Sequence, residues 1–454
     1  MKRVRLAYGK SGLEIALRDD INVDVIEPRY IQGLSDAAGA VREALRHPVA
    51  SKPLRERVRT SDTVAIVVND ITRATPYDLL LPVLLDELSH VPDDHITILV
   101  ATGTHRPTTE AELSTLLGHE AVGRFRIVQN NAQDRDSHAL VGTTHSGNAI
   151  WVHREYLKSD LRILTGFIEP HIFAGFSGGG KACLPGMTLL ETTLRNHCPA
   201  HIDHPKATWG VTQGNPIREE IQEAARMAGP GFLLNVAMNR DKAVTEIFAG
   251  DIEKAHEQGC ESVRKTAMVR VSAPYDIVIT SNSGYPLDLN LYQSVKGMSA
   301  AAQIVRKGGA IILAADCWDG IPDHGEYKRL LFEAQGPAHL LARVRGIPDC
   351  GLRIADCGLN GTADKNPQSA IPNPKSQGLL CQDSWQAQIH ASICEKATVH
   401  LFSDHLSDED ITRAMLTPCR DIAARVDQLI GVYGPEASIA VMPEGPLTIP
   451  YLCP

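Results

Sequence analysis

Residues 161–204 read LRILTGFIEPHIFAGFSGGGKACLPGMTLLETTLRNHCPAHIDH, and the fold turns on how this stretch is parsed. Residues 161–164 are apolar enough for a buried strand, and Gly166 opens a break in the pattern. His171 follows, then four glycines within residues 175–180, then Lys181. Such a loop can turn backbone N–H groups toward an anion, and glycine lets a bulky phosphate approach the main chain. The segment LLETTLRNH reads as a short helix ending near His197. Pro199 stops it there, so His201 need not share a face with His197.

Working outward, the same grammar repeats. Residues 63–68 (TVAIVV) form a β-branched run of the kind buried in a parallel sheet, followed by the polar turn 69–76 (NDITRATP). A helix over 79–88 comes next, with Pro82 near its first turn, then strand 96–101 (ITILVA) and the turn TGTHRP. A further helix carries Glu110, Glu112 and Leu116, and strand 125–129 follows. Ahead of these lie a β-rich start and a helical run over roughly residues 30–45. Strand, polar turn, helix, strand is the pattern of a doubly wound α/β domain, whose ligands bind beyond the carboxyl ends of the strands. Asp70, Arg73, His105 and His171 all fall at such ends.

A second α/β unit begins near Pro274, with strand 275–280 (YDIVIT), a helix over 292–305 closed by Gly308 and Gly309, and strand 310–315 (AIILAA). The expected division is 1–270 for a first domain holding Lys181, His105, His171 and His197, and 271–454 for a second holding residues 292–296, its last residues able to pack back on the first. Residues 355–377, rich in Asn, Pro, Gly and Ser, read as a long exposed loop.

A chain of 454 residues is too long for one ordinary core, and 43% hydrophobic with 22% charged residues is a globular composition. A net charge of −9 without a Lys/Arg cluster speaks against a nucleic-acid surface. No apolar run approaches the ~18 residues of a membrane span, and residues 1–17 lack a signal-peptide core. Ten scattered cysteines without a C-x-x-C pair fit reduced thiols, so a cytoplasmic location is expected.

Local chemistry leaves several readings open. Residues 175–181 match the G-x-x-x-x-G-K spacing of a nucleotide-binding loop, but Ala182 stands where a magnesium-binding Ser or Thr belongs. That counts against a P-loop phosphotransferase. A plain glycine-rich turn is the simplest alternative, and a non-catalytic nucleotide- or metal-binding protein is another. His197, His201 and His204 could make the zinc site of a hydrolase, although Pro199 interrupts the helix and no H-E-x-x-H glutamate is present. Asp70 could simply cap a helix with Arg73 on the surface, or Arg73 could hold a carboxylate as a fork. His105 and His171 are either structural or proton carriers, the role for which a pKa near neutrality suits imidazole. Tyr292 and Lys296, four apart, share a helix side.

Taken together, D-I-T-R-A-T-P (70–76), G-T-H-R (103–106), E-P-H-I-F-A-G-F-S-G-G-G-K-A-C-L-P-G (169–186), His197 and Y-Q-S-V-K (292–296) resemble the lactate racemase family of nickel-pincer nucleotide enzymes, in family order. P-E-G-P-L-T-I-P (443–450) extends the likeness to the end of the chain. Ala74 stands where the family shows proline. The resemblance implies two α/β domains with cofactor and active site in the cleft between them. It implies inversion at C2 of a 2-hydroxy acid by proton-coupled hydride transfer, through a 2-keto acid. It further implies His105 and His171 as the catalytic pair, and Asp70, Arg73, Tyr292, Gln293 and Lys296 as substrate-binding residues. Thr104, Ser177, Gly178, Gly179 and Gly180 would line a cofactor joined covalently to Lys181, the nickel pyridinium-3-thioamide-5-thiocarboxylic acid mononucleotide, with His197 as its nickel ligand. The implied partners are a small 2-hydroxy acid and the proteins that make the cofactor. Lactate, malate, aromatic and sugar acids all remain open as substrates.

Overall fold

The computed structural model describes residues 1–323, 325–347 and 378–452; the polar stretch 355–377 lies outside them. The chain divides into two compact units. One comprises Arg29–Asn196 and Pro205–Ala267, the other Met1–Pro28, His197–His204 and Met268–Pro454. The expected boundary near 270 falls between Ala267 and Met268, but the first 28 residues and the segment His197–His204 group with the later unit. For the start of the chain the cause is pairing. The hairpin Lys2–Leu6 with Leu13–Leu17 buries Leu6, Tyr8, Ile15 and Leu17 against the later unit's sheet, and Val23–Val25 is an edge strand beside Ile439–Met442.

The first unit is built on a six-stranded sheet in the order Val244–Gly250, Gly231–Met238, Leu161–Phe167, Val64–Asn69, Ile96–Ala101, Arg126–Gln129. Only the first pair is antiparallel. Leu161–Phe167 is buried at every residue, as a continuous apolar run in a doubly covered parallel sheet should be. One face of the sheet carries Ala37–Arg46 and Tyr77–Glu87 over Val64, Ile66, Val68, Ile98 and Ile163. The helix expected over 30–45 starts only at Ala37, where Asp36 caps it by accepting from Gly39 N. Tyr77–Glu87 starts two residues earlier than expected, so Pro82 sits in its second turn.

The later unit has a wholly parallel sheet, ordered Thr417–Pro418, Thr398–Phe402, Val305–Ala314, Tyr275–Ser281, Ile439–Met442, Val23–Val25. The helix Leu291–Ala302 is shorter than expected, and Gly308 and Gly309 do not close it. They lie inside Val305–Ala314, whose register against Tyr275–Ser281 shifts there. Gly308 takes φ +75°, and a side chain on Gly309 would sit 2.7 Å from the Asp276 carbonyl, so glycine is required.

Four buried histidines make the fold acid-sensitive. Burial pushes His153, His390 and His400 down to about 4, and burial followed by the charge of Arg218 pushes His256 down to about 3. A depressed histidine pKa contributes stability that is complete above the unfolded value of 6.5 and is lost as pH falls toward the folded values. Two of the four belong to each unit. The urea midpoint of the full chain is therefore expected to hold steady above about pH 7 and to fall between about pH 6.5 and 4. A midpoint unchanged at pH 5 would contradict this.

Candidate active site

In the first unit the chain runs from Val64–Asn69 outward to Ile96–Ala101 and Arg126–Gln129 on one side, and to Leu161–Phe167 and Gly231–Met238 on the other. Val64–Asn69 and Leu161–Phe167 thus flank the switch point, where the loops past the strand ends diverge and leave a crevice. Asp70 to Arg73 leave the first of these strands, Gly103 to His105 leave its neighbour, and His171 follows the second.

Asp70 is buried, and its Oδ2 lies 2.6 Å from His105 Nδ1. Its Oδ1 accepts from the Thr72 hydroxyl at 2.6 Å and the Thr72 amide at 3.3 Å. Burial alone would raise the carboxyl pKa; the hydrogen bond and charge of His105, then Arg73 and Thr72, outweigh it and hold Asp70 below the ordinary carboxylate value. A carboxylate at Nδ1 fixes the proton there and leaves the His105 lone pair on Nε2, on a side chain that is 41% exposed. This is a general base in form. Asp70 is no helix cap; it orients a histidine.

His171 sits in a tight hairpin, Pro170–His171 paired with Gly175–Phe176. Its Nδ1 accepts from the Ala174 amide at 3.2 Å, and its Nε2 lies 3.3 Å from Lys181 Nζ. The ring stacks edge-on with Phe173 at 4.7 Å. Lys181 belongs to a single 3₁₀ turn, Gly179–Ala182. The glycines around it are packed against the protein itself: a side chain on Gly178 would meet Asn235, one on Gly179 would meet His256, and one on Gly180 would meet Ile221 and Ala225. Ser177 is also engaged, its hydroxyl donating to Phe167 O and accepting from Glu169 N, both at 2.9 Å. No long helix follows Lys181, so the loop lacks the N-terminal dipole on which a P-loop depends. Thr104 is half-buried beside His105.

The later unit holds the remaining predicted residues. Asn290 caps Leu291–Ala302, and within that helix Lys296 Nζ donates to Gln293 Oε1 at 2.8 Å. The Tyr292 hydroxyl donates to Asp383 at 3.0 Å, and its ring meets Tyr327 edge-on. His197 is buried, its ring 5.2 Å from Trp385. The short helix Pro199–Ile202 behind it is tied down by Gln388 donating to Pro199 O and by a two-pronged Arg345–Asp203 pair. His197, His201 and His204 do not gather: among the described residues no three His, Cys, Asp or Glu side chains converge as a metal site.

Two pairs are brought together, Asp70 with His105 and His171 with Lys181; Tyr292, Gln293 and Lys296 make a third group. Asp383, Trp385 and the buried Asn215 and Arg218 escaped the sequence reading, because each meets its partner across 40 residues or more. Only the N-cap position of Asn215, ahead of Pro216, leaves a local trace.

A carboxylate-oriented histidine and a lysine-paired histidine thus lie at the switch point of an α/β sheet, where ligands of such folds bind. Residues 8–210 match the lactate racemase N-terminal domain, and residues 271–351 match the lactate racemase C-terminal domain. The lactate racemase of Thermoanaerobacterium thermosaccharolyticum is 33% identical, with 98% of each chain covered; that of Lactiplantibacillus plantarum is 34% identical over 89% of each. The apoprotein structure of the former superposes with a TM-score of 0.87 at 32% identity, over 99% of this chain and all of the other. A Thermotoga maritima structure at 19% identity and TM-score 0.66, covering 93% of this chain and all of the other, shares the fold. The chain belongs to the lactate racemase family, and it is an enzyme of the isomerase class. The α/β architecture expected from the sequence is confirmed. Among the described residues no helix is long and apolar enough to cross a membrane.

Proposed function

We propose that the enzyme inverts C2 of a 2-hydroxy acid, using a nickel-pincer nucleotide joined covalently to Lys181; lactate heads the candidate substrates because both curated relatives carry it in their names. The observation that carries this reading is the pair of differently held histidines, His105 on Asp70 and His171 beside Lys181, at one switch point. The residues suit such a cofactor. With no cluster of three protein donors among the described residues, a metal at His197 would need its other donors from an organic ligand, which a pincer provides. Lys181 Nζ lies 3.3 Å from His171 Nε2, which puts the amine that would be joined to the cofactor beside a proton-handling histidine.

When bound, the cofactor would supply reversible hydride-acceptor chemistry at C2. The protein handles the protons. His105 takes the hydroxyl proton on Nε2, and Asp70, kept anionic, stabilises the imidazolium that forms. On the opposite side His171 serves through Nε2, the nitrogen directed at Lys181. Arg73 is the carboxylate fork of the first unit, and in the later unit Tyr292, Gln293 and Lys296, the last held by Gln293, are the proposed substrate-binding residues. Thr104, Ser177 and Gly178 to Gly180 support the cofactor end of the site. The cofactor-making proteins are the partners this requires, and the cytoplasm is the location that fits. Enantiopure lactate, malate and aldonates incubated with cofactor-loaded enzyme should show inversion of at least one; racemisation of none would reject the reading. Arg73→Ala is expected to raise KM about ten- to a hundredfold, the equivalent of ~1.5–3 kcal/mol for a charged hydrogen bond. An unchanged KM would remove Arg73 from the carboxylate grip.

A further inference from the structure

We propose that Asn215 is a positioning residue for the active site: through a single peptide group it sets which ring nitrogen of His171 carries the proton. The inference rests on reading His171 as a proton-handling residue. Asn215 is wholly buried and caps the helix Pro216–Met227, its Oδ1 accepting from Ile217 N and Arg218 N at 3.1 and 3.3 Å. Capping uses only the oxygen, and serine would do it about as well. The amide nitrogen has a separate task. It donates to Phe173 O and to Val211 O, both at 2.9 Å.

Phe173 O and Ala174 N–H are the two ends of one planar peptide unit. Holding the carbonyl aims the N–H, which lies 3.2 Å from His171 Nδ1. Donation to the carbonyl also polarises the amide and makes its N–H the stronger donor. A backbone N–H can only donate, so Nδ1 must present its lone pair and the neutral ring carries its proton on Nε2; Lys181 Nζ, 3.3 Å away, then accepts as the free amine, since an ammonium could only donate. The turn has no slack. Arg218, wholly buried, donates from Nε to Ala174 O at 3.0 Å and from Nη2 to Phe176 O, and a side chain on Gly175 (φ +76°) would run into Val211 O. His105 and His171 are therefore set oppositely. Asp70 puts the His105 proton on Nδ1 and its lone pair on Nε2; the 173–174 peptide puts the His171 proton on Nε2. The resting protein offers one imidazole as acceptor and one as donor.

The test is ¹⁵N NMR of the full chain labelled at histidine, with His171 assigned by difference against His171→Gln. At pH 8 the wild type should show His171 as the Nε2–H tautomer, with Nδ1 in the unprotonated range. Asn215→Ser keeps an oxygen for the cap and removes the amide donor; in it the two ring nitrogens should shift toward one another as the tautomers mix. In loaded enzyme the same variant should lose about tenfold or more in kcat with KM within about twofold. A wild-type His171 in the Nδ1–H form overturns the proposal without any variant, so a variant that fails to fold cannot shield it. A folded Asn215→Ser that keeps the pure Nε2–H tautomer also overturns it, leaving Asn215 as a cap. The spectrum needs neither cofactor nor turnover, so loss of the racemase reading and loss of this one are separately visible.

Discussion

Asp70→Asn is expected to lower the rate of inversion by about two to four orders of magnitude while leaving the fold and cofactor loading intact. The carboxylate is buried and anionic, held low by His105, Arg73 and Thr72 against the effect of burial. An asparagine of the same shape can still accept from Thr72 through one oxygen. Its NH₂ group would then face His105 Nδ1 across the present 2.6 Å contact and act as donor. Nδ1 would have to give up its proton, Nε2 would gain it, and the ring could no longer accept the substrate hydroxyl proton. The imidazolium would lose its counter-charge as well. Chiral chromatography of an enantiopure 2-hydroxy acid under the loaded variant measures the effect, with His105→Ala as the reference for full loss. A variant within tenfold of wild type would mean that His105 is not the base.

Lys181→Arg is expected to abolish inversion completely, along with the covalent adduct. The substitution separates two roles that a lysine could fill here. Arginine keeps a positive charge for a phosphate, but its guanidinium is a poor nucleophile that stays protonated, so it cannot form the thioamide. Intact-protein mass spectrometry with metal analysis, on chains made alongside the cofactor's biosynthetic enzymes, should find one adduct and about one nickel per wild-type chain. The variant should show the unmodified mass. Inversion retained with arginine would make Lys181 an anion-binding residue and end the covalent reading.

Much of this was legible along the chain, for reasons that are local. The β-branched runs 63–68 and 96–101 and the apolar start of 161–204 announce buried parallel strands, because a strand covered on both faces must be apolar throughout. Polar turns directly after them mark the ligand end of a doubly wound sheet. Asp70, Arg73, His105 and His171 could be picked out on position alone, and Lys181 and His197 by motif order. Helix ends were less legible: the start at Ala37 depends on the Asp36 cap, and the two glycines at 308–309 look like a helix stop but serve a register shift against Asp276.

Tertiary structure alone decided the pairings and the grouping of segments. Asp70 and His105 are 35 residues apart, Tyr292 and Asp383 are 91 apart, and Asn215 reaches Phe173 across 42. A hydrogen bond over such separations leaves no periodic trace, since it is set by strand order and not by helix or strand repeat. The same holds for Met1–Pro28 joining the later unit and for glycines at 178–180 that meet Asn235, His256 and Ile221. Composition and spacing name the chemical groups, while the direction in which each hydrogen bond runs, and hence the proton on each histidine, follows from three-dimensional contact.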